Sequence, residues 1–223
     1  MDASGNDSKL DTPNDVLLFW FGTLIIDELS DVNYIKRNMS RWFAGSDPSF
    51  DQVQKDNRNL VEYVANSNFD DVIWETPCGY LARILLLDQF TRCIYRGTTD
   101  AFKYDQLTSQ LVKRIVDNNW LLSEYVPIYR FFLGVAIQHS EELCMQKIGL
   151  DIAHLVAQGC ENDIDEFFKG LKGYPNEHHD VIEQFHRFPS RNDVLGRVST
   201  VAEMEWMESP ECPVWAKSQL KRK

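Results

Sequence analysis

Leu81-Ala-Arg-Ile-Leu-Leu-Leu-Asp-Gln-Phe-Thr-Arg-Cys-Ile-Tyr-Arg-Gly97 is the stretch on which the reading of this chain turns. At about 100° per residue, Leu81, Ile84, Leu85, Asp88, Arg92, Tyr95 and Arg96 share one helical arc about 120° wide. Leu86, Leu87, Phe90 and Ile94 cover most of the opposite side. A helix that is apolar on both sides is a buried helix. Its Asp88, Arg92 and Arg96 therefore point into protein. A buried ion costs several kcal/mol unless it is partnered, so the stretch predicts an internal polar site.

The flanking segments repeat one helix-start signal. Thr12-Pro13, Asp47-Pro48 and Thr76-Pro77 each place a capping side chain before a proline at the first helical position. Thr200-Val-Ala-Glu203 has the form of a capping box. Between these signals the apolar residues recur at helical spacing. The predicted helices are 13–21, 34–43, one from 48 through 64, 77–96, 101–118, 127–146, 147–157, 161–169, 178–185, 191–197 and 201–208. No Asn-Gly or Asp-Gly hairpin signal occurs, and no repeat of about 33–45 residues emerges. The connections are short, so successive helices are expected to be antiparallel neighbours. The predicted organisation is a disordered tail over residues 1–11, one all-α domain over 12–208 and a C-terminal extension over 209–223.

Composition narrows the partners. The 223 residues carry 34 acidic and 23 basic side chains, a net charge of −11. An acidic surface disfavours nucleic acid and anionic membranes. No apolar run reaches the roughly 18 residues of a membrane span, and residues 1–11 lack a signal-peptide core. The five cysteines are odd in number and widely spaced, with no Cys-x-x-Cys pair. That pattern fits reduced thiols in a cytoplasmic protein and neither a disulfide framework nor a zinc ribbon.

Three constellations carry possible chemistry. Asp88 and Arg92 stand four apart and are positioned to pair, with Gln89 between them and Arg96 a turn later. They read either as a structural ion pair or as an anion clamp built on the arginine fork. Phe131 to Glu142 sets His139 on the arc of Phe132 and Val135, with Glu141 and Glu142 following. His139 reads as a hydrogen-bonded core residue or as an acid/base group. The adjacent His-Ser-Glu is not a hydrolytic triad, because consecutive helical residues do not face each other. In the third, Arg187, Arg191 and Arg197 surround Pro189, with His178, His179, Asp180 and His186 upstream. Ser190 is placed to cap a following helix whose amides offer an anion site flanked by Arg187 and Arg191. The histidines are weak metal ligands at this spacing, so neither a metal nor another cofactor is expected.

The residues also resemble a known family, the bacterial domain-of-unknown-function family 924. The likeness runs from about Val16 to Met207. It rests on Phe19-Trp20-Phe21-Gly22, Leu85-Leu86-Leu87-Asp88-Gln89-Phe90, Arg92, Ile94-Tyr95-Arg96-Gly97-Thr98, Asp105 and His139-Ser140-Glu141. It continues through His178, Arg187-Phe188-Pro189, Arg191-Asn192, Leu195-Gly196-Arg197 and Ser199-Thr200. The resemblance implies a helical fold likened to tetratricopeptide repeats and no established activity. The chain departs from the family pattern at Thr91, Cys93, Tyr129, Gly134, Ala136 and His186, where the family usually has proline, asparagine, glutamate, tyrosine, proline and glycine.

The leading expectation is a groove that binds a small anionic molecule or an acidic peptide end. Its candidate residues are Asp88, Gln89, Arg92, Arg96, His139, Glu141, His178, Arg187, Arg191, Asn192 and Arg197. One alternative is an enzyme that uses His139 and Glu141 as acid and base. The other is an interaction scaffold in which the charged set is structural. Open donors in a cavity favour the first two readings; complete mutual pairing favours the third.

Overall fold

The computed structural model describes residues 9–43, 47–66 and 71–217, and every regular element among them is helical. The tail expected over residues 1–11 falls largely on 1–8, outside the described residues, as do 218–223 of the extension. Helix α1 (Pro13–Phe21) starts at Thr12, whose hydroxyl accepts from the Asp15 amide while Asp15 caps the Thr12 amide. It ends at Gly22, where φ of +79° suits glycine. Short α2 (Ile26–Leu29) leads into α3 (Val32–Phe43). The helix expected from 48 through 64 is two, α4 (Pro48–Asp56) and α5 (Arg58–Asn66), broken at Asn57. The Asn57 side chain explains the break. Its Nδ2 donates to the Val53 carbonyl and its Oδ1 accepts from the Leu10 amide, a local alternative to the helical ladder.

The central helix begins at Thr76, which accepts from the Gly79 amide. It runs as α6 (Pro77–Leu85), a π turn (Leu86–Phe90) and α7 (Thr91–Ile94). Thr91 closes the π turn on the Leu86 carbonyl with both its amide and its hydroxyl. Leu81, Ile84, Leu85, Leu86, Leu87 and Phe90 are all buried, as the two-sided apolar pattern predicts. Gly79 is required here: a Cβ would sit 2.5 Å from the Trp74 backbone.

The remaining elements are α8 (Asp105–Asp117), α9 (Trp120–Ser123), α10 (Pro127–Ile137), α11 (Leu143–Leu155), α12 (Asn162–Gly170), α13 (Gly173–Phe185), α14 (Val201–Glu208) and α15 (Val214–Lys217). Four expectations change. The helix expected over 101–118 is a 3-10 turn (Thr99–Phe102) and then α8, which starts only at Asp105. The helix expected over 127–146 stops at Ile137, and the break falls at 138–142 instead of 146. Residues 178–185 are only the latter part of α13. The helix expected over 191–197 is a single 3-10 turn (Pro189–Arg191) followed by turns to Gly196. Ser190 therefore caps no helix, and no amide anion site forms there.

Spatial neighbours are not always successive in the chain. Helix α10 packs on α11, but α1 lies against α6 and α11 against α13. The main core joins α1, α3, the π turn and α10 through rings. Trp20 meets Phe132 at 5.5 Å and Phe90 at 5.9 Å, and Trp42 meets Phe132 edge-on at 5.2 Å. Each such side chain, fully buried, contributes about 1.5–3 kcal/mol. Tyr129 belongs to this core, 4.6 Å from Phe21. A second, smaller core of Val181, Ile182 and Phe188 is closed by Leu143, Phe185, Trp206 and Trp215. The polar site lies between these two cores.

Candidate functional site

Asp88 is the floor of the site. The π turn presents it inward with 1% of its surface exposed, and π turns recur at functional positions. One oxygen accepts from His139 Nδ1 at 2.7 Å and forms an ion pair with Arg92 at 3.1 Å; the other accepts from Gln89 at 2.6 Å. Burial alone would raise the Asp88 carboxyl. The charge of Arg92 and the His139 contact outweigh it and hold the group down at about 2. Asp88 is thus an ionised acceptor, so the hydrogen on His139 sits on Nδ1.

His139 lies in the turn after α10, not on a helix. Its backbone is fixed from both sides. Gln146 Nε2 donates to the carbonyls of Gln138 and Ser140 at 2.7 and 2.6 Å, and Arg191 donates to the His139 carbonyl at 3.0 Å. These carbonyls belong to the turn that follows α10. Burial, then the Arg92 charge, lowers the His139 pKa, against the opposing pull of Asp88. The imidazole is therefore neutral near pH 7 with its lone pair on Nε2. Among the described residues no protein group hydrogen-bonds that nitrogen, and 19% of the side chain is exposed.

The arginines close on each other through one carboxylate. Arg92 grips Asp105 with both terminal nitrogens at 2.9 and 3.0 Å. Arg191 reaches the same carboxylate at 2.9 Å from 86 positions further along the chain. Its guanidinium lies between the rings of Phe102 and Phe188, 4.6 and 4.4 Å from their centroids, a cation–π sandwich. Two arginines balance two aspartates, so the inner cluster carries no net charge while His139 is neutral.

An outer tier secures the segment after α13. Glu141 takes both forks of Arg197 at 2.9 and 2.8 Å and the Phe188 amide at 2.9 Å. Arg187 grips Glu203 at 2.6 and 2.8 Å, and the Thr200 capping box uses the same carboxylate. The Arg187 contact, against a smaller effect of burial, holds Glu203 at about 2. Asn192 is buried and bonds Ser199 at 3.0 Å.

The expected residues therefore divide. Asp88, Gln89, Arg92, His139 and Arg191 form one cluster. Glu141 serves Arg197, not His139, and Arg187 faces Glu203, not Arg191. Arg96 is exposed and outside the cluster. The helix has ended by Tyr95, and Gly97 turns away at φ +78°. The π turn also sets the downstream face back by one residue, about 100°. His178 adjoins the cluster, its ring 6.4 Å from that of His139. Its Nδ1 donates to the Tyr174 carbonyl at 2.7 Å, and burial pushes it down to about 3. The other histidines do not join it. His179 contacts Asp180 at 3.2 Å and lies near Glu183, and His186 is exposed.

Asp105 and Glu203 are the site carboxylates that pattern reading leaves out. Asp105 looks like an ordinary acidic residue in the first turn of a helix, and Glu203 like half of a capping box. The excess of arginines over assigned acids in the expected set was one available signal that carboxylates were missing, and Asp105 stood among the residues that carry the family resemblance.

The comparisons agree with this architecture. The solved structure of a protein of unknown function, ATU0120 from Agrobacterium tumefaciens, superposes with a TM-score of 0.66 at 24% identity. The match covers 88% of this chain and 96% of that one, and it shows the shared fold. No curated protein matches the chain. Residues 16–211 match the family described as bacterial protein of unknown function, DUF924. That span takes in every residue of both tiers, and the chain belongs to the DUF924 family.

Proposed function

We propose that His139 and Asp88 are the working pair of a small-molecule site, and that the arginines frame this pair instead of gripping an anion. The observation that carries the reading is the neutral His139 held through Nδ1 by a buried aspartate, its Nε2 left without a partner among the described residues. That arrangement suits accepting a proton or hydrogen bond from a hydroxyl, an amide or a water. An anion would have to displace Asp105 from Arg92 and Arg191 together. A neutral donor meets no such competition. The residues supply an acid/base group and its orienting partner, and they supply no nucleophile next to it. A role as general base toward bound water or a ligand hydroxyl is the reaction class that follows.

The test is a fragment panel of alcohols, amides and small carboxylates, read at the His139 imidazole by nitrogen-15 NMR. Hydroxyl- or amide-bearing compounds should shift Nε2, and His139→Gln should abolish their binding. A panel in which only carboxylates bind, or in which nothing reaches Nε2, would overturn the reading.

The full pairing of Arg187, Arg197, Glu141 and Glu203 favours a structural role for the outer tier. That tier anchors the segment carrying Arg191.

A further inference from the structure

The second core contains a cleft that the chain fills with its own C-terminal segment. The Trp215 indole stacks on His178, with centroids 3.7 Å apart and planes 14° from parallel. It meets Phe188 edge-on at 5.8 Å, and its Nε1 donates to Glu177 at 2.9 Å. These three partners recognise an indole by all its features: a face, an edge and the single N–H. His178 is held neutral, with Nδ1 committed to Tyr174, so its flat face is free of charge and fixed in orientation.

The described part of the occupant is short. Helix α15 is described over one turn, Val214–Lys217, and follows the Ser209-Pro-Glu-Cys-Pro213 turn. Its buried anchors are Ala216 and Cys212. Trp215 lies beyond residue 211, where the family match stops, whereas Glu177, His178 and Phe188 lie inside it. The cleft is thus part of the family region and its occupant is not.

We infer that this cleft is a binding site for a tryptophan-bearing peptide, occupied here in cis by Trp215 as a tethered ligand. A short tether gives an effective concentration in the millimolar range, so a free peptide competes only when Trp215 is released. The cleft borders the His139 site through His178, yet its occupancy requires nothing of His139 chemistry. Failure here would leave the proposal for His139 standing, and the reverse.

The experiment uses the full chain and a fluorescein-labelled peptide of residues 210–217 with its cysteine replaced by serine. Trp215→Ala should bind the peptide, measured by anisotropy, at least tenfold more tightly than the unaltered chain. Adding His178→Ala to Trp215→Ala should weaken that binding at least tenfold. No binding to Trp215→Ala, or equal binding by both chains, overturns the inference. If Trp215→Ala does not fold, the Trp215 indole N–H resonance of the unaltered chain supplies the readout. Excess unlabelled peptide should shift it toward the free value, and an unmoved resonance at millimolar peptide overturns the inference.

Discussion

Asp105 is one carboxylate serving two inward-facing arginines, Arg92 and Arg191, from separate segments of the chain. Removing it leaves two guanidiniums close together in a poorly solvated space. Breaking a buried pair by deleting one partner costs about 3–5 kcal/mol, so Asp105→Ala should lower stability by at least that much in a urea melt. Arg96→Ala, a change at an exposed position, should shift the same melt by less than about 0.5 kcal/mol. Gly79 is the other residue without latitude. A Cβ there would collide with the Trp74 carbonyl at 2.5 Å. That neighbour is backbone and cannot rotate away, so Gly79→Ala should cost about 1–3 kcal/mol by the same measurement. At this scale the sequence was partly legible. Asp88 with Arg92 followed from i,i+4 spacing, but Asp88 with His139 did not. That pair joins positions 51 apart, and no local pattern encodes it.

Elements were legible where they announce themselves. The caps at Thr12, Asp47, Thr76 and Thr200 form as their side chains predict. The cap signal at Ser190 misled, because the chain there makes only a 3-10 turn; the other misreadings fall where no such signal stands. The break after Ile137 has neither glycine nor proline. It is held by tertiary bonds from Gln146 and Arg191, and by the Ser140 hydroxyl accepting from the Glu142 amide at 3.2 Å. The π turn is likewise invisible to a wheel that assumes 3.6 residues per turn. The break makes Gln146 the positioning residue for His139. Gln146→Leu would orphan the Gln138 and Ser140 carbonyls, and a buried unpaired acceptor costs about 1–3 kcal/mol. It should also move the His139 imidazole resonances, which a loss of stability alone would leave in place.

Across the whole molecule, the groups of the site that titrate below neutrality act in one direction. His139 lies below the ordinary 6.5 in the folded state, and His178 lies at about 3. The unfolded chain therefore takes up these protons first as pH falls. Their contribution is intact above 6.5 and is lost progressively on acidification. Asp88 and Glu203, both near 2 when folded, lose theirs as pH falls from their ordinary 3.8 and 4.5 toward 2. Urea midpoints should accordingly fall below pH 6.5 and fall again below pH 4.5. The double variant His139→Gln/His178→Gln should keep the lower loss and lack the upper one. Fold class followed from helical spacing throughout. The joining of the two cores through Arg191 and Asp105 did not, because it depends on where the segment after α13 returns.

Everything proposed for the site requires His139 to be a neutral imidazole oriented by Asp88. Nitrogen-15 NMR of the imidazole ring across pH 5 to 8 tests this directly. The prediction is hydrogen on Nδ1, a bare Nε2 and a midpoint below 6.5, with Asp88→Asn disturbing that tautomer. Hydrogen on Nε2 in the unaltered chain, or a midpoint above 6.5, would contradict it.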